Sequence, residues 1–308
     1  MPSMDLVAAI RDPRWTSAAD LLVAPPVSGR PLVALIGLCT YATSITPRSS
    51  SDTPSAIRDA MARYSTWSYS DHVDLAEELS VVDCGDVLDP DGPDGFERVV
   101  ARFDAIDPAV VLRVVLGGDN AATYHAMRAL AGPALGEWGL ITFDAHLDVR
   151  DGTSNGSPVR QLLEAGLSGE HVVQLGVADF ANSAVYARRA RDAGVTVISR
   201  DSLRTQSLEE MVARALDIAG GRGRAVYVDV DLDVADRAVV PGCPAAAPGG
   251  LSADELRRMV RAVTSDSRVR AIDFTEIDVA RDAPDERTVR LASLLVLEAL
   301  AGVRRRSR

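Results

Sequence analysis

Residues 139–148 read Gly139-Leu140-Ile141-Thr142-Phe143-Asp144-Ala145-His146-Leu147-Asp148. The first half is a short, nearly continuous apolar run without alternation, which suits a strand covered on both faces. The second half turns into Asp-x-His-x-Asp, three metal-competent side chains placed where the strand stops. In open α/β sheets, ligands bind beyond the carboxyl ends of the strands. This stretch therefore predicts a parallel sheet between helical layers, with chemistry at one edge.

The same pattern recurs outward in both directions. Strands are predicted at Leu32–Gly37, Leu79–Asp83, Val110–Leu116, Gly139–Phe143, Val172–Gly176, Val195–Ile198, Ala225–Val230 and Val269–Phe274. Helical periodicity fills Ser55–Tyr64, Gly95–Ile106, Ala121–Ala131, Val159–Ala165, Ala181–Ala193, Leu208–Ala219, Ala253–Val263 and Asp285–Leu300. Ser157 before Pro158 predicts a capped helix start. Ser252-x-x-Glu255 predicts a capping box. Strand–helix alternation throughout makes this an α/β chain with helices on both faces of the sheet. No repeat or low-complexity linker interrupts it, and Pro90–Gly95 reads as a turn. Residues 1–308 are read as one domain, with 1–30 an N-terminal extension and 304–308 a basic tail.

Bulk properties exclude several classes. A net charge of −11 and a pI of about 4.9 argue against nucleic-acid binding, the only basic run being Arg304–Arg308. No apolar stretch approaches a membrane span, and Met1-Pro2-Ser3-Met4-Asp5 lacks a basic-then-apolar leader. Cys39, Cys84 and Cys243 are scattered, without a C-x-x-C pair. That predicts a reducing cytoplasm and no thiolate zinc site. The partner expected is a small-molecule substrate.

The acids fall at strand ends. Asp119-Asn120 follows Gly117-Gly118 after the third strand, and Asp144-x-His146-x-Asp148 ends the fourth. Asp229-x-Asp231-x-Asp233 ends the seventh, and Glu276 and Asp278 follow the eighth. Each motif alone has an ordinary explanation as a capped turn, a polar strand end or a tight glycine turn. Together they deliver carboxylates and one imidazole to a single edge. So many partly buried carboxylates repel one another unless a cation joins them. Carboxylate and imidazole donors without sulfur suit manganese, and also iron, nickel or zinc. Two ions account for the donors better than one.

In order, G-G-D-N, F-D-A-H-L-D, V-D-V-D-L-D, a Pro-Gly-rich loop and T-E-I-D resemble the arginase, agmatinase and formimidoylglutamase superfamily from about residue 32 onward. The resemblance implies a three-layer α/β sandwich around an eight-stranded, mostly parallel sheet. It implies two Mn2+ ions held by Asn120, Asp144, His146, Asp148, Asp229 and Asp231. Asp144 and Asp229 would bridge, His146 and Asp231 would complete one ion, and Asn120 and Asp148 the other. Histidine is commoner at the Asn120 position, so the ion there is expected to be weakly held or absent. Homo-oligomers are usual in the superfamily, and one is expected here.

Within the superfamily, Thr153-Ser154-Asn155-Gly156-Ser157-Pro158-Val159-Arg160, Asp179-Phe180-Ala181-Asn182-Ser183 and Pro241-Gly242-Cys243-Pro244 resemble the formimidoylglutamases. Pro54-Ser55-Ala56-Ile57-Arg58 resembles a segment common to the superfamily. The implied reaction is hydrolysis of N-formimidoyl-L-glutamate to L-glutamate and formamide, with Asp148 as proton carrier and Glu276 facing the amidine. Arg150, Ser154, Asn155 and Arg160 are the candidate substrate residues, since arginine grips carboxylates bidentately. A guanidine hydrolase of agmatinase or guanidinobutyrase type, releasing urea, is the alternative. A metal-poor binding protein on the same scaffold is the second. His125 and Cys243 read as packing residues, and Trp15, Trp67 and Trp138 as core or interface residues.

Overall fold

The computed structural model describes residues 12, 14–47 and 52–306. Residues 1–11 and 13 of the expected extension, and 307–308 of the tail, lie outside the described residues. All eight predicted strands form. They are β1 (Leu32–Cys39), then, after a small antiparallel pair of β2 (Trp67–Ser68) and β3 (Val73–Asp74), β4 (Ser80–Leu88), β5 (Val110–Gly117), β6 (Trp138–Phe143), β7 (Val172–Val177), β8 (Thr196–Ser199), β9 (Ala225–Asp231) and β10 (Val269–Thr275). The eight long strands pair in parallel in the order β4-β1-β5-β10-β9-β6-β7-β8.

The helices are α1 (Thr53–Met61), α2 (Leu75–Glu78), α3 (Gly95–Asp104), α4 (Ala121–Ala131), α5 (Pro158–Glu164), α6 (Ala184–Asp192), α7 (Arg200–Thr205), α8 (Leu208–Ala219), α9 (Ala253–Thr264) and α10 (Arg287–Arg305). They divide the apolar side chains into two cores, one on each face. Ile57 and Met61 of α1, Met211 and Ala215 of α8, Leu256 and Val260 of α9 and Leu295 of α10 pack on one face. Val99 and Phe103 of α3, Ala122 and Ala126 of α4 and Leu162 of α5 pack on the other. Non-alternating runs such as Leu140–Phe143 are buried throughout because both faces of the sheet are covered.

Helix starts follow local chemistry. The Ser252–Glu255 capping box is present in both directions. Ser183 caps α6, accepting from Tyr186 N, so that helix starts three residues later than its periodicity suggests. Ser157 does precede Pro158, but it is not a side-chain cap. Its Oγ donates to Ser154 O at 2.8 Å and accepts from Ser154 N, closing a turn instead. Helix α10 runs on through Arg304 and Arg305, so those two belong to a helix, not to a solvated tail. Trp15 and Trp67 are half exposed and not core residues.

Candidate active site

The carboxyl ends of β5, β6, β9 and β10 are neighbours in the sheet order, so their terminal residues converge. The Gly117-Gly118 turn makes this approach possible. A β-carbon on Gly118 would stand 2.1 Å from Thr40 O, inside the backbone of the β1 exit. Asp119 is fully buried and ties the same exit, accepting from Ser44 Oγ and from Ala121 N.

Two clusters of metal-competent side chains form here. Asp144, His146 and Asp233 make one, and Asp144, Asp148 and Asp231 the other, with the donor atoms of each within 4.8 Å of one another. Asp144 is shared, as a bridging ligand between two ions would be. His146 Nδ1 lies 2.6 Å from Asp233 Oδ2 and 3.7 Å from Asp144 Oδ1. The Asp144 carboxylate has one oxygen accepting from His146 N at 2.6 Å, and its other oxygen is buried with no protein partner. A buried carboxylate oxygen without a donor is costly, and a divalent cation is the partner this donor set suits. The residues fit two such ions.

Electrostatics lead to the same conclusion. Burial, and then Asp233, push Asp144 up to about 7. Burial and Asp144 raise Asp148, and burial and Asp233 raise Asp231, both well above the carboxylate range. Burial opposes the charged form of His146, yet Asp144 and Asp233 outweigh it and hold the imidazole up at about 11. Burial likewise opposes ionisation of Asp233, and the His146 contact overcomes it and lowers that group. The protein alone supplies too little positive charge for its carboxylates.

Asp229, expected as a bridging ligand, is in neither cluster. It lies two residues before Asp231 on the same strand, hence on the same face but about 6.6 Å nearer the core. There it pairs with Asp273 in register, and neither of its oxygens has a hydrogen-bond donor. Asp233 stands at the edge in its stead. The spacing was in the sequence, but only Asp229 and Asp231 share a face of β9, and Asp233 follows in the 3-10 turn Leu232–Val234. The deciding fact was where β9 stops, one residue beyond the predicted Val230.

Asn120 is buried beside the clusters. Its Nδ2 donates to Asp148 Oδ2 at 2.6 Å, and its Oδ1 accepts from Thr123 Oγ1 at 2.7 Å and Thr275 Oγ1 at 3.0 Å. Glu276 Oε1 accepts from Asn120 N at 3.0 Å and from Asn155 Nδ2 at 2.7 Å. Asn155 in turn accepts from Ile45 N at 2.9 Å, so one carboxamide joins two loops to Glu276. Asp148 and Glu276 both hold positive φ, 50° and 61°, a strained backbone for side-chain-bearing residues that the surrounding bonds enforce.

The remaining candidates separate. Arg150 is exposed and lines a cavity of about 180 Å³ with His146, Asp148 and Asn182. Among the described residues its guanidinium has no hydrogen bond or ion pair. Arg160 is fully engaged: Nε donates to Arg150 O at 2.6 Å, one terminal nitrogen to Gly152 O at 2.5 Å and the other to Glu164 at 2.5 Å. Ser154 shapes the 154–157 turn, its Oγ accepting from Gly156 N at 3.3 Å. Asn182, quoted in the sequence only as part of a resemblance, accepts from Leu147 N at 3.0 Å and donates to Ala145 O at 3.2 Å, gripping the backbone on either side of His146. His125 packs between Phe96 and Tyr124, as expected. Cys243 is buried.

Comparison with known proteins identifies the family. Formimidoylglutamase of Halalkalibacterium halodurans is 35% identical over 282 residues, 87% of this chain and 86% of its own. The crystal structure of formimidoylglutamase from Bacillus subtilis superposes with a TM-score of 0.87 at 31% identity, covering 98% of this chain and 96% of that one. Formiminoglutamase of Trypanosoma cruzi, crystallised with Mn2+, has the same fold, with a TM-score of 0.84, 23% identity and coverage of 95% and 100%. The model of the arginase family matches residues 32–302. On that match, and on an eight-stranded parallel sheet with its acids at one edge, the chain belongs to the arginase family.

Proposed function

We propose that the protein hydrolyses N-formimidoyl-L-glutamate to L-glutamate and formamide at a two-ion centre held by Asp144, His146, Asp148, Asp231 and Asp233, with Asn120 at its side. The observation that carries this reading is the juxtaposition of the acidic centre with a cavity rimmed by the unpaired Arg150. A substrate with an amidine head and a dicarboxylate tail has complementary charge at both ends. The similarity to formimidoylglutamases supports the same substrate, and the Mn2+ in the T. cruzi structure supports manganese.

Divalent ions at this centre would supply Lewis-acid activation of water and of the amidine. Glu276, its Oε1 fixed by Asn120 N and Asn155 Nδ2, offers a preset acceptor to the N–H groups of the head. The oxygen of water bonds to the formimidoyl carbon, and the bond from that carbon to the glutamate nitrogen breaks. Asp148 takes one proton from water and returns it to the departing amine, and the second water proton leaves the oxygen as the formamide carbonyl forms and completes the ammonium group of glutamate. Arg150 binds a tail carboxylate. Arg160 acts indirectly, holding the carbonyls of the loop that carries Arg150.

The direct test offers manganese-loaded protein N-formimidoyl-L-glutamate, agmatine, 4-guanidinobutyrate and L-arginine separately. Glutamate with formamide from the first alone is the expected result. Urea from any of the others would replace this assignment. We also read the protein as a cytoplasmic homo-oligomer, a reading supported by three free cysteines and by the exposed Trp15, Trp67 and Tyr69. Sedimentation at monomer mass would remove the second part.

A further inference from the structure

Beneath Asn120 lies a chain of buried hydroxyls and one carboxylate that the reaction does not use. Thr123 Oγ1 is 2.7 Å from Asn120 Oδ1 and 2.9 Å from Asp273 Oδ2. Asp273 also accepts from Tyr227 OH at 2.8 Å and Val230 N at 3.3 Å. Thr123, Asp273, Tyr227 and Asn120 are all buried.

A threonine hydroxyl carries one proton. With Asn120 oriented as it is, both neighbours of Thr123 are acceptors, and one contact must go without a proton. The carboxylate is the stronger acceptor, because a hydrogen bond to a charged group is shorter and stronger than a neutral one. Once Thr123 donates to Asp273, its oxygen presents a lone pair to Asn120 and calls for a donor. Rotating the Asn120 carboxamide by half a turn, which preserves its shape, gives Thr123 Oγ1 and Thr275 Oγ1 a donor and leaves Oδ1 facing Asp148 Oδ2, two acceptors that a cation between them would reconcile. Nδ2 then donates to Thr123 Oγ1, and Oδ1 turns toward Asp148 and the Asp144–Asp148–Asp231 cluster. In the orientation seen, the amide nitrogen faces that cluster and holds Asp148, and a nitrogen carrying two protons is no ligand for a cation.

We propose that Thr123, backed by Asp273, is the positioning residue that turns Asn120 into an oxygen ligand, so that loading of the ion beside Asp148 is coupled to rotation of the Asn120 side chain. This rests on the two-ion reading given above. A carboxamide at this place needs such a device because its two ends differ, whereas a symmetric carboxylate would not.

The experiment measures Mn2+ binding by calorimetry and by electron paramagnetic resonance, where two neighbouring ions give an exchange-coupled spectrum distinct from one. The proteins are the parent, Thr123→Val, Thr123→Ser, Asn120→Asp and the double variant Thr123→Val with Asn120→Asp. Valine keeps the shape, so the first ion and the melting profile serve as controls of folding. Thr123→Val leaves the rotated amide with a buried, unpaired N–H, and the second-ion Kd is expected to rise about 5- to 100-fold, with loss of the coupled spectrum. Thr123→Ser restores both. In the Asn120→Asp background the same valine changes the second-ion Kd by less than about threefold, since no orientation remains to be chosen. Parent-like binding of both ions by Thr123→Val overturns the proposal, as does equal sensitivity in the aspartate background or loss of both ions together. A parent that binds no Mn2+ at all overturns the two-ion reading itself.

Discussion

Three acids spaced two residues apart, Asp229 and Asp231 on β9 and Asp233 in the turn that follows it, do different work, and single substitutions separate them. Asp233 sits 2.6 Å from His146 Nδ1 in one of the two clusters that could hold an ion, whereas Asp229 lies one pleat deeper against Asp273. Asp233→Asn is expected to abolish the ion shared with His146, giving one bound Mn2+ per chain. Asp229→Asn should keep two, because it removes a buried charge without touching a ligand. Metal analysis of the two purified variants decides this, and the reverse outcome would place the centre one step lower in the sheet. Asn182 acts through the backbone. Losing its two bonds around His146 is expected to cost about 10–100-fold in metal affinity, the range found for groups that orient ligands.

Elements transmit these constraints differently at the two ends of the molecule. Gly118 makes the close approach of the β5 and β1 exits possible, and Gly118→Ala would drive a β-carbon into Thr40 O. We expect it to lose about 1–3 kcal/mol of stability and most of the activity, because Asp119 and Asn120 follow directly. Ser252→Ala removes a capping box that no site residue contacts. It should cost about 1 kcal/mol and leave turnover unchanged. Denaturant titration alongside an assay of each variant checks the contrast. The elements themselves were legible in the sequence, since short, nearly continuous apolar runs such as Leu140–Phe143 alternate with helical periodicity. The finer placement was not. Apolar patterning could not say whether β9 stops at Val230 or Asp231, and that single residue decides which acids reach the edge. Nor could it show that Arg160 faces the carbonyls of Arg150 and Gly152, because the path of an irregular loop has no period to read.

For the whole molecule the acidic centre is a liability that a bound cation would convert into a source of stability. Without metal, Asp144 is raised to about 7 and Asp273 to about 6, burial being the main cause in each. A carboxyl whose folded pKa exceeds its unfolded value binds more protons folded than unfolded between the two. Its contribution to stability therefore falls as pH rises through that interval, by on the order of 1.4 kcal/mol per pH unit for each proton. His146, raised to about 11, acts in the same direction: the stability it lends is full below its unfolded pKa and declines as pH climbs toward the folded value. The lowered Asp233 opposes them only in acid, below the ordinary carboxylate range. Metal-free protein is thus expected to melt at a lower temperature at pH 8 than at pH 5. Divalent ions replace those protons, so loaded protein should lose this decline and gain about 2.7 kcal/mol at a hundredfold excess over Kd. Scanning calorimetry of chelated and Mn2+-loaded samples across that range is the check. A chelated protein that grows steadily more stable from pH 5 to pH 8 would mean that its buried carboxylates find positive charge within the chain, and the argument for two ions would lose its electrostatic support.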